Sequence, residues 1–289
     1  MSPLGFLAIL CAILSMLAYS RRPTKSFRVD AQFAISLLTW GVLWFATGST
    51  FAREGMMSLP IHMICHILVM FIVPIGIVGS SFIRSLWWIL DASSRRRLLR
   101  WWYLDRRWRA PKWLFHPLTA ALVLNVVMVS AHVPVVFDFV MGRTWAMDWL
   151  MEPAFLFSGL FFFHFLIPSP PRVNHVKIRY QLTMVTLTFL EMLFLAMAMS
   201  IFTKTSWYSV MVPGHGMAAM PGMVDVPGMA KTAAAAFSQQ RLAAGILWIC
   251  GDFWALPVTI LIVQRTIKRE GSLFAALDRQ SSRLSGVVG

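Results

Sequence analysis

Two histidines, His62 and His66, stand four residues apart in an otherwise apolar stretch, with Cys65 between them. On a helix this spacing stacks both imidazoles on one face, one turn apart, with Cys65 beside them. Imidazoles so placed form a ready bidentate metal site, and a neighbouring thiol suits soft or borderline ions. The same histidines could instead serve only as hydrogen-bond partners of neighbouring helices. A third, His132, lies in Ala-His-Val-Pro-Val-Val-Phe-Asp, which ends at Asp138. Asp148 and Glu152 are again four apart; they could orient ligating histidines or merely favour the positive end of a helix. Glu191 and Asp252 are isolated acids in apolar surroundings, and an acid there needs a partner. Glu152, Asp138 and Asp252 are the candidates for outer carboxylates behind a metal-binding set.

A second group of donors is sulfur-rich. Met211, His215, Met217, Met220, Met223 and Met229 lie among prolines and glycines between 203 and 239. No core is expected there to bury them, and thioethers with imidazole favour Cu(I) over oxygen-preferring ions. A flexible loop resting on a bilayer is the plainer alternative. Met192, Met197 and Met199, by contrast, read as helix packing. No metal-enzyme signature, phosphate loop, nucleophile elbow or dinucleotide fingerprint is present, so no catalytic turnover is expected.

The elements that must position these residues are membrane helices. The chain has 289 residues, 58% hydrophobic and 13% charged, where a soluble domain carries about 25% charged residues. Apolar runs long enough to cross a bilayer recur along the whole length, and unbroken runs do not read as barrel strands. The expected fold is all-α, a single integral membrane domain over 1–289 with about seven spans. These run over about 3–19, 32–50, 58–80, 117–141, 147–167, 180–202 and 240–264. Counted along straight helices, His66 and His132 fall at matching depths of roughly 12 and 13 Å below one surface. His164 is expected at an interface, and His116 and His175 near the opposite surface without a role.

Charge sets the expected orientation. Of 26 Lys and Arg, Arg53, Arg143, Lys204, Lys231 and Arg241 alone fall in one set of alternating loops; the rest lie in the other set and the C-terminal tail. That asymmetry places the N-terminus outside and the C-terminus in the cytoplasm. No basic residue precedes the first apolar run, whereas Arg21, Arg22 and Lys25 follow it, so 1–20 reads as a retained span rather than a cleavable signal. The net charge of +14 is thereby accounted for without nucleic acid as a partner. A cytoplasmic segment, 81–115, interleaves arginine with tryptophan and is expected at the lipid headgroups. The 203–239 loop is expected outside. Cys11, Cys65 and Cys250 all lie in apolar runs and suggest no disulfide framework.

With these residues in order along the chain, the sequence resembles the CtaG-type cytochrome c oxidase assembly factors, seven-span bacterial membrane proteins. The resemblance rests on His62-x-x-x-His66, Pro74-Ile-Gly76, His116-Pro117, His132-x-Pro-x-x-Phe-Asp138 and Ser158-Gly159. It continues through Gln239-Gln240-x-x-Ala-x-Gly-x-x-Trp248 and the tail from Arg269-Glu270 to Asp278-Arg279. Two positions depart from the pattern: Glu152 stands where a histidine is expected, and Ser238 where an aspartate commonly precedes the glutamine pair. The resemblance implies His62, His66 and His132 as copper-site residues, a bacterial inner membrane, and maturation of a haem–copper oxidase by copper supply. The expected partners are an oxidase subunit and the lipid bilayer, with a homo-oligomer left open. The rival readings are a copper transporter, a haem-binding electron carrier using His66 and His132 as axial ligands, and a metal-free scaffold.

Overall fold

The computed structural model describes residues 2–22, 26–97, 113–167, 176–208 and 229–272, with the side chains of 229–233 excepted. Among these residues the chain is helical, without strands. Six segments are long and apolar enough to cross a membrane, and a bent pair makes a seventh. The chain is thus a multi-pass membrane protein.

Helix α1 (Pro3–Ser20) opens with Ser2 as its cap, whose hydroxyl accepts from the Gly5 amide at 3.1 Å, and with proline at the first position, where a missing N–H costs nothing. α2 (Phe27–Gly48) pairs with α1 and continues, after a break at Ser49, into the short α3 (Thr50–Glu54). α4 (Leu59–Ile67) carries the His62/His66 pair and passes through a π turn, Leu68–Ile72, into α5 (Val73–Gly79). A tight turn at Ser81, in the left-handed region with φ 56°, leads to α6 (Phe82–Leu86). α7 (Pro117–His132) begins at a His116 cap whose Nδ1 accepts from the Leu118 amide at 3.3 Å. α8 (Pro134–Met141) follows after one residue. α9 (Thr144–Ala146), a second π turn at Met147–Met151 and α10 (Glu152–Leu166) form one continuous span. α11 (Ile178–Ser200) and α12 (Met229–Glu270) pack together.

The core is built from the buried faces of α4, α5, α7, α10, α11 and α12, with Trp254 stacked on Phe71 (ring centroids 5.2 Å) and edge-on to Phe162 and Phe163. Two glycines permit the closest approaches. A Cβ on Gly159 of α10 would run into the Met70 carbonyl and the Pro74 ring, and one on Gly76 into Thr39 of α2. Of the three methionines expected in helix packing, Met192 and Met199 are buried in the core and Met197 is half-buried, and the Trp254 indole donates to the Met192 sulfur at 3.3 Å.

Three sequence expectations change. The fourth span is not one straight helix over 117–141: α7 and α8 meet at 75°. Pro134 has no N–H to bond back into α7, and it holds Val133 extended (φ −65°, ψ 125°) because a residue before proline avoids the helical region. Depth counted along a straight fourth span is therefore wrong for His132, which ends α7 instead of lying mid-helix. The seventh helix starts at Met229, not near 240; alanines 233–236 and the flanking Lys, Gln and Arg are strong helix formers and extend it beyond the apolar stretch. Residues 229–239, expected in the 203–239 loop, are instead the first turns of α12. Residues 98–112, most of the 81–115 interfacial segment, lie outside the described residues.

Candidate metal centre

His62 sits one turn, and His66 two turns, inside α4, and both are buried, at 1% and 6% exposure. Their rings meet edge to face with centroids 3.9 Å apart. The i, i+4 expectation is met in space. Phe137 of α8 packs edge-on to His62 at 5.4 Å, and Phe155 of α10 edge-on to His66 at 4.4 Å. The pair is clamped between aromatic walls from two other helices.

Neither ring finds the partner that a buried imidazole needs. Nε2 of His62 and both nitrogens of His66 are buried and have no hydrogen-bond partner. An unsatisfied buried polar group costs about 1–3 kcal/mol, so three such nitrogens on adjacent turns set this pair apart from the other histidines. His62 and His66 line a cavity of about 350 Å³ that also takes in Cys65, Met56, Met147 and Glu152, with exposed Arg53 and Thr144 at its rim. The Ser2 side chain hydrogen-bonds the Glu152 carboxylate, while Glu152 Oε2 has no partner.

His132 is buried beside the pair, within electrostatic reach of both rings. Its Nδ1 lies 2.7 Å from the Met128 carbonyl. A carbonyl only accepts, so Nδ1 carries the proton, and in the neutral ring Nε2 holds the lone pair. Ligating histidines are commonly fixed in this way. Its own carbonyl accepts from the Tyr208 hydroxyl at 3.4 Å. Tyr208, fully buried, stacks on Phe137 at 4.0 Å and so roofs the cluster. Burial raises its phenol above the ordinary value, which keeps it a neutral donor. Among the described residues, no three or more His, Cys, Asp and Glu side chains are gathered into an arrangement that holds a metal ion. The structure thus brings together a histidine pair with a third imidazole nearby.

Two devices near the site had a sequence signal that spacing of chemical residues does not reveal. Each π turn directly precedes an X-Pro step, Val73-Pro74 and Glu152-Pro153. Proline cannot donate to the carbonyl four residues back, and the preceding amide bonds five back instead: Val73 to Leu68 and Glu152 to Met147. One π turn follows His66 and the other delivers Glu152, and such bulges recur at functional sites. Tyr208 was missed because nothing in its sequence neighbourhood says that it turns inward. What pulls it in is Gln240 of α12, fully buried, whose Nε2 donates to the Met199 carbonyl at 2.8 Å and whose Oε1 accepts from the Trp207 amide at 2.7 Å.

The chain matches the cytochrome c oxidase caa3 assembly factor family over residues 13–269. It belongs to that family. No curated protein and no solved structure matches it. The match takes in every helix that builds the cluster, and the motifs that carried the resemblance acquire local roles in this assembly factor. His116-Pro117 caps α7, Gly159 and Gly76 allow helix contact, and Gln240 clasps the segment after α11.

The other expected residues distribute unevenly. Cys65 lines the cavity; all three cysteines are buried and free. Asp148 also lines it, half-buried. Asp138 is half-buried near Tyr208 and outside the cavity lining. His164 is exposed. Glu191 has both carboxylate oxygens buried without partners, away from the cavity. Asp252 is not an outer carboxylate of this site: the inward face of α12 is Ala244, Leu247, Cys250, Trp254 and Val258, and Asp252 lies exposed off that stripe. Met211, His215, Met217, Met220 and Met223 lie outside the described residues, as does the Met229 side chain.

Proposed function

We propose that this assembly factor holds Cu(I) as cargo at His62 and His66 and passes it to a cytochrome c oxidase subunit. The observation that carries this reading is the set of three buried, unpartnered imidazole nitrogens beside a cavity. Nitrogen donors already stripped of water and of protein partners bind an ion without first giving up other bonds. Cu(I) is a closed-shell ion that tolerates two donors, and imidazole, thiol and thioether all suit it. His62 and His66 supply the first two, and His132 Nε2 or the Cys65 thiol a third. Glu152 sets a carboxylate in the place where the family pattern has histidine, and its unpaired oxygen offsets the cargo's charge.

The Met and His215 segment gathers the ion outside and hands it inward, with thioethers exchanging for imidazoles. Ligand exchange of this kind needs no bond chemistry and no turnover. Transport across the whole bilayer is less well served, because Asp252, which would extend a polar path inward, faces away from the bundle. The test is copper content of the detergent-purified protein, with X-ray absorption to identify nitrogen and sulfur neighbours. The wild type retains copper, and the His62→Ala/His66→Ala variant loses most of it. Equal copper in both proteins would remove the intramembrane site.

A further inference from the structure

The outward face of α12 carries a stripe at helical spacing: Leu242, Ile249, Asp252, Phe253, Leu256 and Ile260 are all exposed. Five of these are side chains that lipid accepts; Phe253 is 75% and Leu256 63% exposed. The sixth is a carboxylic acid. Asp252 is the one charged residue between Arg241 and Arg265, which bracket the apolar stretch of α12, and it lies near the middle of that stretch. Among the described residues nothing hydrogen-bonds it or pairs with its charge. An acid facing hydrocarbon at mid-depth is costly, and such residues are found paired or facing a polar partner. The neighbouring core offers no relief, since the buried stripe of α12 is apolar around Trp254.

We propose that this face of α12 docks a transmembrane helix of the client cytochrome c oxidase, one that presents a basic or strongly hydrogen-bond-donating side chain opposite Asp252. The family assigns the client, an enzyme embedded in the same membrane; the acid assigns the chemistry of the contact. A second copy of this chain fits less well. A twofold axis along the bilayer normal would bring two Asp252 carboxylates to the same depth of one interface, since both copies present the same patch, and would supply neither with a basic partner. The inference stands on family membership and on the exposed acid, not on copper.

The test places a photo-crosslinking residue at Ile249 or at Leu256 in cells making the oxidase, with Phe6 on α1, 63% exposed, as the far-face control. Adducts are probed with antibodies to the oxidase subunits and to the chain itself. The expected result is an oxidase adduct from α12, none from Phe6, and a yield about threefold or more lower in Asp252→Leu, the factor an average intramembrane side-chain hydrogen bond contributes. Asp252→Asn, which keeps a hydrogen-bonding group, recovers part of that loss. No oxidase adduct, an adduct with a second copy alone, or an equal yield in Asp252→Leu would each overturn the proposal. Copper content of Asp252→Leu stays at the wild-type level, so failure of this contact and failure of the copper site are read separately.

Discussion

At the residue scale, the candidate centre is defined by what its side chains lack. His62 and His66 are buried with unpartnered nitrogens, whereas His116 is satisfied as a helix cap and His132 has one nitrogen fixed on Met128. The distinction separates histidines of equal sequence prominence into a cap, a fixed neighbour and a pair with unpartnered nitrogens. Tyr208 is the residue that completes the roof. Tyr208→Phe removes the hydroxyl bond to the His132 carbonyl and keeps the stack on Phe137. It is expected to lower stability by about 0.5–1.5 kcal/mol. Tyr208→Ala empties a fully buried aromatic site and costs about 3–5 kcal/mol. Thermal unfolding of both variants in one detergent gives the comparison; similar losses would mean the ring does not pack as described.

At the element scale, prolines decide where the histidines and Glu152 sit. Pro74 and Pro153 each leave a π turn on their N-terminal side, and Pro134 turns α8 by 75° from α7. That bend lets Phe137 reach His62 while His132 still ends the preceding helix. The π turn after His66 also displays the Met70 carbonyl to α10, which accepts it only because residue 159 has no side chain. Gly159→Ala should destabilise the protein by about 1–3 kcal/mol, the usual cost of overpacking. Gly41→Ala, on an exposed face of α2 with nothing within 4 Å, should be neutral or slightly stabilising, since alanine favours a helix. Unfolding midpoints of the pair test this. A neutral Gly159→Ala would show that α10 and the π turn are not in close contact.

At the scale of the whole molecule, alternate connections gather at opposite ends of the bundle. Ser2, Arg53 and Thr144 meet around the mouth of the histidine cavity, so the N-terminus and the α3–α4 and α8–α9 connections share one end. At the other, Arg21 donates to the Ile89 carbonyl at 2.9 Å, and Arg22 approaches Arg84 closely enough to feel its charge. The α1–α2 connection and the segment from Arg84 to Ile89 thus lie at the end opposite the cavity mouth. The positive-inside rule predicts that the cavity faces the exterior. A reporter active only outside the cell should therefore work when fused at residue 143 and fail at residue 97. The reverse pattern would turn the cavity to the cytoplasm and end the route from an external methionine loop.

The sequence by itself determined the membrane class, the succession of spans and the helix face shared by His62 and His66. Each of these follows from local physics: apolar length against bilayer thickness and 3.6 residues per turn. The helix caps at Ser2 and His116 are local in the same sense. Tertiary structure alone decided that Tyr208 folds back over His132, that Glu152 joins the cavity, and that Asp252 faces out of the bundle. A helix pattern gives the angle between two side chains on one helix, but which face turns inward is set by packing against helices distant in sequence. For Asp252 that packing was decided by Trp254 and Cys250, two residues away on either side, which occupy the core and leave the acid to the outer surface.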